Sequence, residues 1–153
     1  MRTVTIHRTI DAPIDAVFAA LSDASTYTGA PLIVRSTLVK PGADAPYGLG
    51  AIREIIAGLA WFREEITAYD PPHSFEYRIL RSIPATQHEE GRIALRETAE
   101  GTELTWTTTF TVRMLLASEV LTTLAAPIIR TTFNQIIDAA IASIRIDDPQ
   151  HPR

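Results

Sequence analysis

The sequence predicts an α+β fold: a curved antiparallel sheet of six to seven strands wrapped around a long C-terminal helix, with two short helices after strand one. Two observations carry this. From Leu32 to Val112, strand-like segments follow one another across short turns. Beyond them the apolar period changes: Ile129, Phe133, Ile136, Ile137, Ala140 and Ile144 recur at helical spacing. At 153 residues, 46% hydrophobic and 21% charged, the chain suits one globular domain, expected over residues 1–146, with a polar tail at 147–153. A domain of this size buries about 70% of its unfolded surface, enough for a core without staples.

In chain order, Val4, Ile6 and Ile10 share one face of a first strand, with Thr3, Thr5, His7 and Thr9 on the other. Asp11-Ala12-Pro13 stops it, and Pro13 suits the first turn of a helix whose apolar stripe is Val17, Phe18 and Leu21. Asp23–Tyr27 reads as a break followed by a second short turn or helix. The strands expected next are Leu32–Val39, Ala51–Ala57, Ala60–Tyr69, Ser74–Arg81, His88–Glu97 and Thr102–Val112. Pro41-Gly42, Gly58, Asp70-Pro71-Pro72, Pro84 and Glu100-Gly101 mark their turns. Connections this short favour an antiparallel meander. A last helix from about Ser118 to Ile146 would be roughly 43 Å long. Pro127 inside it removes one backbone bond and should kink or split it.

The turns also set the register. The Gly58-Leu59 turn places Arg53 opposite Glu64 and Ile55 opposite Phe62. The Pro71-Pro72 turn places Ile66 near Tyr77 and Ala68 near Phe75; the Glu100 turn places Ile93 opposite Trp106 and Leu95 opposite Leu104. One face is then apolar, and the other carries Glu54, Arg63, Glu65, Glu76, Arg78 and a row of threonines. A slip of one residue would swap the faces, so the pattern constrains register. One helix cannot fill the concavity of so wide a twisted sheet, and the space left over is a candidate apolar cavity.

Several function classes are excluded or disfavoured. A net charge of −4 disfavours nucleic acid as a partner. No cysteine is present, which excludes disulfides, thiol catalysis and cysteine-ligated metal, and suits a cytoplasmic location. The N-terminus alternates polar and apolar residues, unlike a secretory signal, and no apolar run is long enough to span a bilayer. Lysine occurs once, at Lys40, amid many arginines, a bias of GC-rich bacterial genomes. Gly48-Leu49-Gly50 precedes a strand, not a helix, and so reads as a turn and not a phosphate loop. His7, His73, His88 and His151 are dispersed, so neither a metal site nor a cofactor is expected; only His88 falls near a cavity rim.

The chain resembles the START/Bet v 1-like helix-grip superfamily (SRPBCC), and within it the bacterial polyketide cyclase/dehydrase-like proteins. The resemblance rests on Ile10-Asp11-Ala12-Pro13, Val17-Phe18, Leu21-Ser22-Asp23, Gly48–Arg53, Glu65–Pro72, Tyr77 and Gly101–Trp106, in that order across nearly the whole chain. It implies binding or transport of a hydrophobic or aromatic small molecule, such as a lipid, between the sheet and the last helix. The alternative it implies is cyclisation or dehydration of a poly-carbonyl substrate in the same cavity, with Arg53, Glu64 and Tyr77 polarising and protonating it.

The residues expected to line the cavity are Arg53, Glu64, Ile66, Tyr77, Ile93, Trp106, Thr108, Phe110, Phe133 and Ile137. Catalytic residues are not identifiable from the sequence. Arg53 and Glu64 are the most informative, because two opposed charges stand on an otherwise apolar face. Three readings stay open: a structural ion pair, a register displaced by one residue, or a polar anchor in an apolar cavity. Arg81 and Glu89 are candidates for a second such pair. Trp106 is either core or a flat wall for a ligand ring. Trp61 and Ile56 form a patch on the opposite face that would suit a dimer contact; a monomer is equally compatible with the sequence.

Overall fold

Alternating apolar and polar residues make Arg2–Ile10 the first strand, β1, with Val4, Ile6 and Ile10 buried. The computed structural model describes the backbone of residues 1–147 and the side chains of residues 1–145. Helix α1 spans Ile14–Ser22 and buries Val17, Phe18 and Leu21. Pro13 is its N-cap, not a residue of the first turn: its ψ of 147° is extended, which leaves the helix to begin at Ile14. A 3₁₀ helix follows at Ala24–Gly29, where Asp23 Oδ1 accepts from the Ser25 backbone N–H and from Ser25 Oγ.

Six more strands follow: β2 (Ile33–Lys40), β3 (Ile52–Ala57), β4 (Ala60–Asp70), β5 (Ser74–Ile83), β6 (Thr86–Thr98) and β7 (Gly101–Val112). They form one seven-stranded antiparallel sheet in the order β1-β7-β6-β5-β4-β3-β2. Every consecutive pair from β2 to β7 is adjacent, as short turns dictate from β3 onward; residues 41–51 form a longer connection between β2 and β3. Gly58 takes φ +57° in the two-residue turn between β3 and β4, a backbone that favours glycine. The expected register holds there: Arg53 faces Glu64 and Ile55 faces Phe62. Ile93–Trp106 and Leu95–Leu104 also pair.

The register shifts at five places along the sheet, and two of them change what the sequence predicts for the inner face. One lies between Ile66 and Ala68, so Phe75 pairs with Tyr69 and not with Ala68. The other lies between His88 and Glu90 on β6. The β5–β6 ladder ends at Tyr77–Gly91, so the expected Arg81–Glu89 pair does not form; Arg81 instead lies opposite Arg63, and both Arg81 and Glu89 are exposed. The outer face is laced by Arg63–Glu54, Arg78–Glu65, Arg92–Glu76 and Arg96–Glu103 ion pairs. Trp61 pairs with Ile56 on that outer face, both half-buried.

Helix α2 runs unbroken over Ser118–Asp147 with Pro127 inside it. Pro127 and Thr123, whose carbonyl loses its helical partner, are both exposed, so water can take up the freed oxygen and the helix continues. Asp147 is therefore helical, and the rest of the expected tail, residues 148–153, lies outside the described residues. No helix among the described residues is long and apolar enough to cross a membrane.

The two halves of α2 do different work. Its C-terminal half packs Ile136, Ile137 and Ala140 into the core, close against the 3₁₀ helix, where Ala139 sits over Gly29. Phe18 of α1 fills the sheet at that end, with Tyr69 and Phe75 rings 5.4 and 5.9 Å away. Among the described residues no such plug lies under the preceding part of the helix, where Ala125, Ile128 and Ile129 border open space.

Candidate functional site

That space is a cavity of about 490 Å³, in the range of small-molecule sites. Its walls come from β2 to β7, from Tyr27 of the 3₁₀ helix and from α2 between Ala125 and Ile136, and they are mostly apolar, including Ile55, Phe62, Ile79 and Ile129. Trp106 of β7 stacks on Phe133 of α2 with ring centroids 3.9 Å apart and planes 13° from parallel. This contact ties the helix to the sheet and presents aromatic surface at the wall.

One corner is polar. Arg53 on β3 and Glu64 on β4 meet inward because the short turn fixes them opposite each other. Arg53 Nε donates to Glu64 Oε2 at 2.9 Å, with the arginine side chain 1% and the glutamate 9% exposed. Arg53 Nη1 also donates to Tyr27 Oη at 3.3 Å, and the Tyr27 hydroxyl donates to the Leu21 carbonyl at 2.7 Å. The guanidinium carbon lies 5.3 and 5.4 Å from the ring centroids of Tyr27 and Tyr77, within cation–π reach. Trp106 Nε1 donates to Tyr77 Oη at 3.0 Å.

Burial pushes both tyrosine pKa values up, only partly opposed by Arg53, so both rings stay phenols. For Arg53, burial alone would lower the pKa, but the neighbouring tyrosines and Glu64 outweigh it and the net shift is upward. The corner therefore holds a fixed cation beside hydroxyl donors inside an apolar wall. Among the described residues, no hydrogen bond uses Arg53 Nη2 or Glu64 Oε1.

Tyr77 can occupy this place because its β6 neighbour is Gly91. A Cβ there would overlap the Tyr77 ring. His88 stacks on the same ring, centroids 5.4 Å apart and 18° from parallel. Burial pushes its pKa down to about 4.

Of the residues expected at the wall, Arg53, Glu64, Tyr77, Trp106, Thr108, Phe110 and Phe133 line the cavity. Ile66, Ile93 and Ile137 do not: they are almost wholly buried in the packed core toward the plugged end. Tyr27 and His88 line the cavity in addition to the expected wall residues. Tyr27 reaches it from the 3₁₀ helix, distant in sequence from the strands, and its only sequence signal is a large ring in a segment of small polar residues. Strand position alone puts His88 near the rim; a bulge, not alternation, aims it inward. Among the described residues, no group of three or more His, Asp or Glu is placed to hold a metal.

Comparisons with known proteins agree with this architecture. No curated protein matches the chain by sequence. Among solved structures, Zhui aromatase/cyclase from Streptomyces sp. R1128 superposes with a TM-score of 0.77 at 19% identity, covering 94% of this chain and 93% of that one. A START superfamily protein from Mycobacterium smegmatis gives 0.73 at 11% identity, covering 92% and 98%. The protein TTHA0849 from Thermus thermophilus gives 0.74 at 15% identity, covering 93% and 99%. At such identities these likenesses establish the helix-grip fold and not an activity. The family model described as polyketide cyclase/dehydrase and lipid transport matches residues 1–145, and the chain belongs to that family.

Proposed function

We propose that this protein binds, and by binding carries, a hydrophobic or aromatic small molecule in the cavity between the sheet and α2. The observation that carries the reading is a large apolar cavity with a built polar corner. Apolar walls supply affinity for rings or alkyl chains, and the Arg53–Glu64–Tyr77 corner orients an oxygen function. No cofactor enters this reading. The cysteine-free composition and scarcity of lysine suit a bacterial cytoplasm, and one domain, alone or as a homodimer, suffices. Native mass spectrometry of the purified protein tests it. A small apolar molecule should co-purify, and Ala125→Phe, which fills the cavity beside α2, should exclude it. Equal retention by that variant would refute the reading.

A second reading is favoured by a specific observation: Arg53 and Tyr77 both face the cavity, and both keep their protons. A guanidinium there can polarise a ketone, and a phenol can give its proton to the developing alkoxide. A dry cavity that holds a poly-carbonyl chain folded supplies the rest by proximity. Incubation with a linear poly-β-ketone thioester separates the two readings. Accelerated formation of a cyclised product, lost in Arg53→Met, identifies a cyclase; binding without turnover identifies a carrier.

A further inference from the structure

The cavity contains a second polar station, on β6 and β7. The β5–β6 ladder ends at Tyr77–Gly91, and the bulge at His88 carries β6 out of register. The Ile79 backbone N–H, beyond the last paired rung, donates instead to His88 Nδ1 at 3.2 Å. That nitrogen must be an acceptor and so carries no proton. In a neutral imidazole the proton is then on Nε2. His88 Nε2 lies 2.9 Å from Thr108 Oγ1, so the histidine donates and the threonine oxygen accepts.

The hydroxyl hydrogen of Thr108 is left over. Thr108 is 4% exposed, lines the cavity, and makes no other side-chain hydrogen bond among the described residues. A buried hydroxyl with an unused hydrogen is costly unless a partner arrives. The low pKa of His88 keeps the ring neutral at physiological pH, so this arrangement persists.

We propose that Thr108 donates a hydrogen bond to a carbonyl oxygen of the bound ligand, with His88 as the positioning residue that fixes the direction of that hydroxyl. This rests on the cavity-binding reading and narrows it: the ligand is an aromatic or alkyl ketone or ester, not a bare hydrocarbon. The Arg53–Glu64–Tyr77 corner adjoins this station, since His88 stacks on the Tyr77 ring, but Thr108 adds a requirement that the corner does not.

A matched pair of probes tests it: 2-acetylnaphthalene and 2-ethylnaphthalene, titrated calorimetrically into the full chain. Wild type should prefer the ketone. Thr108→Val should weaken the ketone about three- to tenfold, the worth of one neutral hydrogen bond, and leave the ethyl compound unchanged. Thr108→Ser should keep the preference. His88→Phe retains a ring against Tyr77 but releases the hydroxyl, and should reduce ketone affinity alone. The infrared carbonyl stretch of ¹³C-labelled ketone should be lowered when bound to wild type and should return toward its apolar-solvent position in Thr108→Val. Unchanged ketone affinity and carbonyl stretch in Thr108→Val, with the ethyl compound still binding, would overturn the Thr108 assignment alone. If wild type binds neither probe, the cavity reading falls and this inference with it.

Discussion

Removing either member of the Arg53–Glu64 pair should cost far more than removing both. At 2.9 Å the pair attracts by about 6 kcal/mol at an effective dielectric constant of 20. Against this, each ion has lost several kcal/mol of hydration. The two terms nearly cancel for the intact pair. They do not cancel for a lone charge, because the side chains are only 1% and 9% exposed and water cannot re-enter freely. Arg53→Met and Glu64→Leu should therefore each lose about 3–5 kcal/mol, while the double variant should lose about 1 kcal/mol or less. Urea denaturation followed by tryptophan emission, with wild type and all three variants at one pH, measures the cycle. Tyr27 loses a donor when Arg53 is removed, so Arg53→Met should be the worse single variant. Additive losses, or single variants within about 0.5 kcal/mol of wild type, would refute the claim that this pair is dry and coupled.

His88 should make stability depend on acid. Its pKa is about 4 in the fold against about 6.5 in the unfolded chain, so the unfolded state takes up the proton first. Its contribution is whole above pH 6.5 and is lost as pH falls toward 4, by up to about 2 kcal/mol once partial solvent contact is allowed for. His88→Phe should flatten that interval in a pH series of urea midpoints. Gly91→Ala should cost about 1–3 kcal/mol by driving a methyl into the Tyr77 ring, and near-ultraviolet circular dichroism should report a disturbed Trp106. Truncation after Pro127 removes Phe133, Ile136, Ile137 and Ala140 together. The product should be insoluble or molten, with far-ultraviolet but no near-ultraviolet signal.

What the sequence reveals, and what it hides, has a physical basis. The Gly58-Leu59 turn is two residues long, so it leaves one register, and Arg53 opposite Glu64 follows from counting. The alternation on β7 is equally unambiguous, which is why Trp106, Thr108 and Phe110 are legible as inner-face residues. Bulges are different: they insert one residue without a composition signal. The one at Ile66/Ala68 moves Phe75 from Ala68 to Tyr69, and the one at His88/Glu90 makes a histidine the hydrogen-bond partner of both Ile79 and Thr108. Alternation also says which face a residue is on, not how far along the sheet the core ends. Ile66, Ile93 and Ile137 do point inward, but α1 and the 3₁₀ helix plug that end, and where they pack is a tertiary fact that no local pattern encodes.

In the proposed binding mode an apolar ligand enters the cavity between the sheet and α2 and reaches the wall that Trp106 forms with Phe133. A brominated alkane such as 1-bromoheptane quenches indole only near contact, and the two tryptophans lie on opposite faces of the sheet. Quenching of Trp61→Phe, which retains only Trp106, should be saturable and as strong as in wild type. Quenching of Trp106→Phe, which retains only Trp61, should be weak and unsaturable. Saturable quenching that survives in Trp106→Phe, or none in Trp61→Phe, would contradict the account.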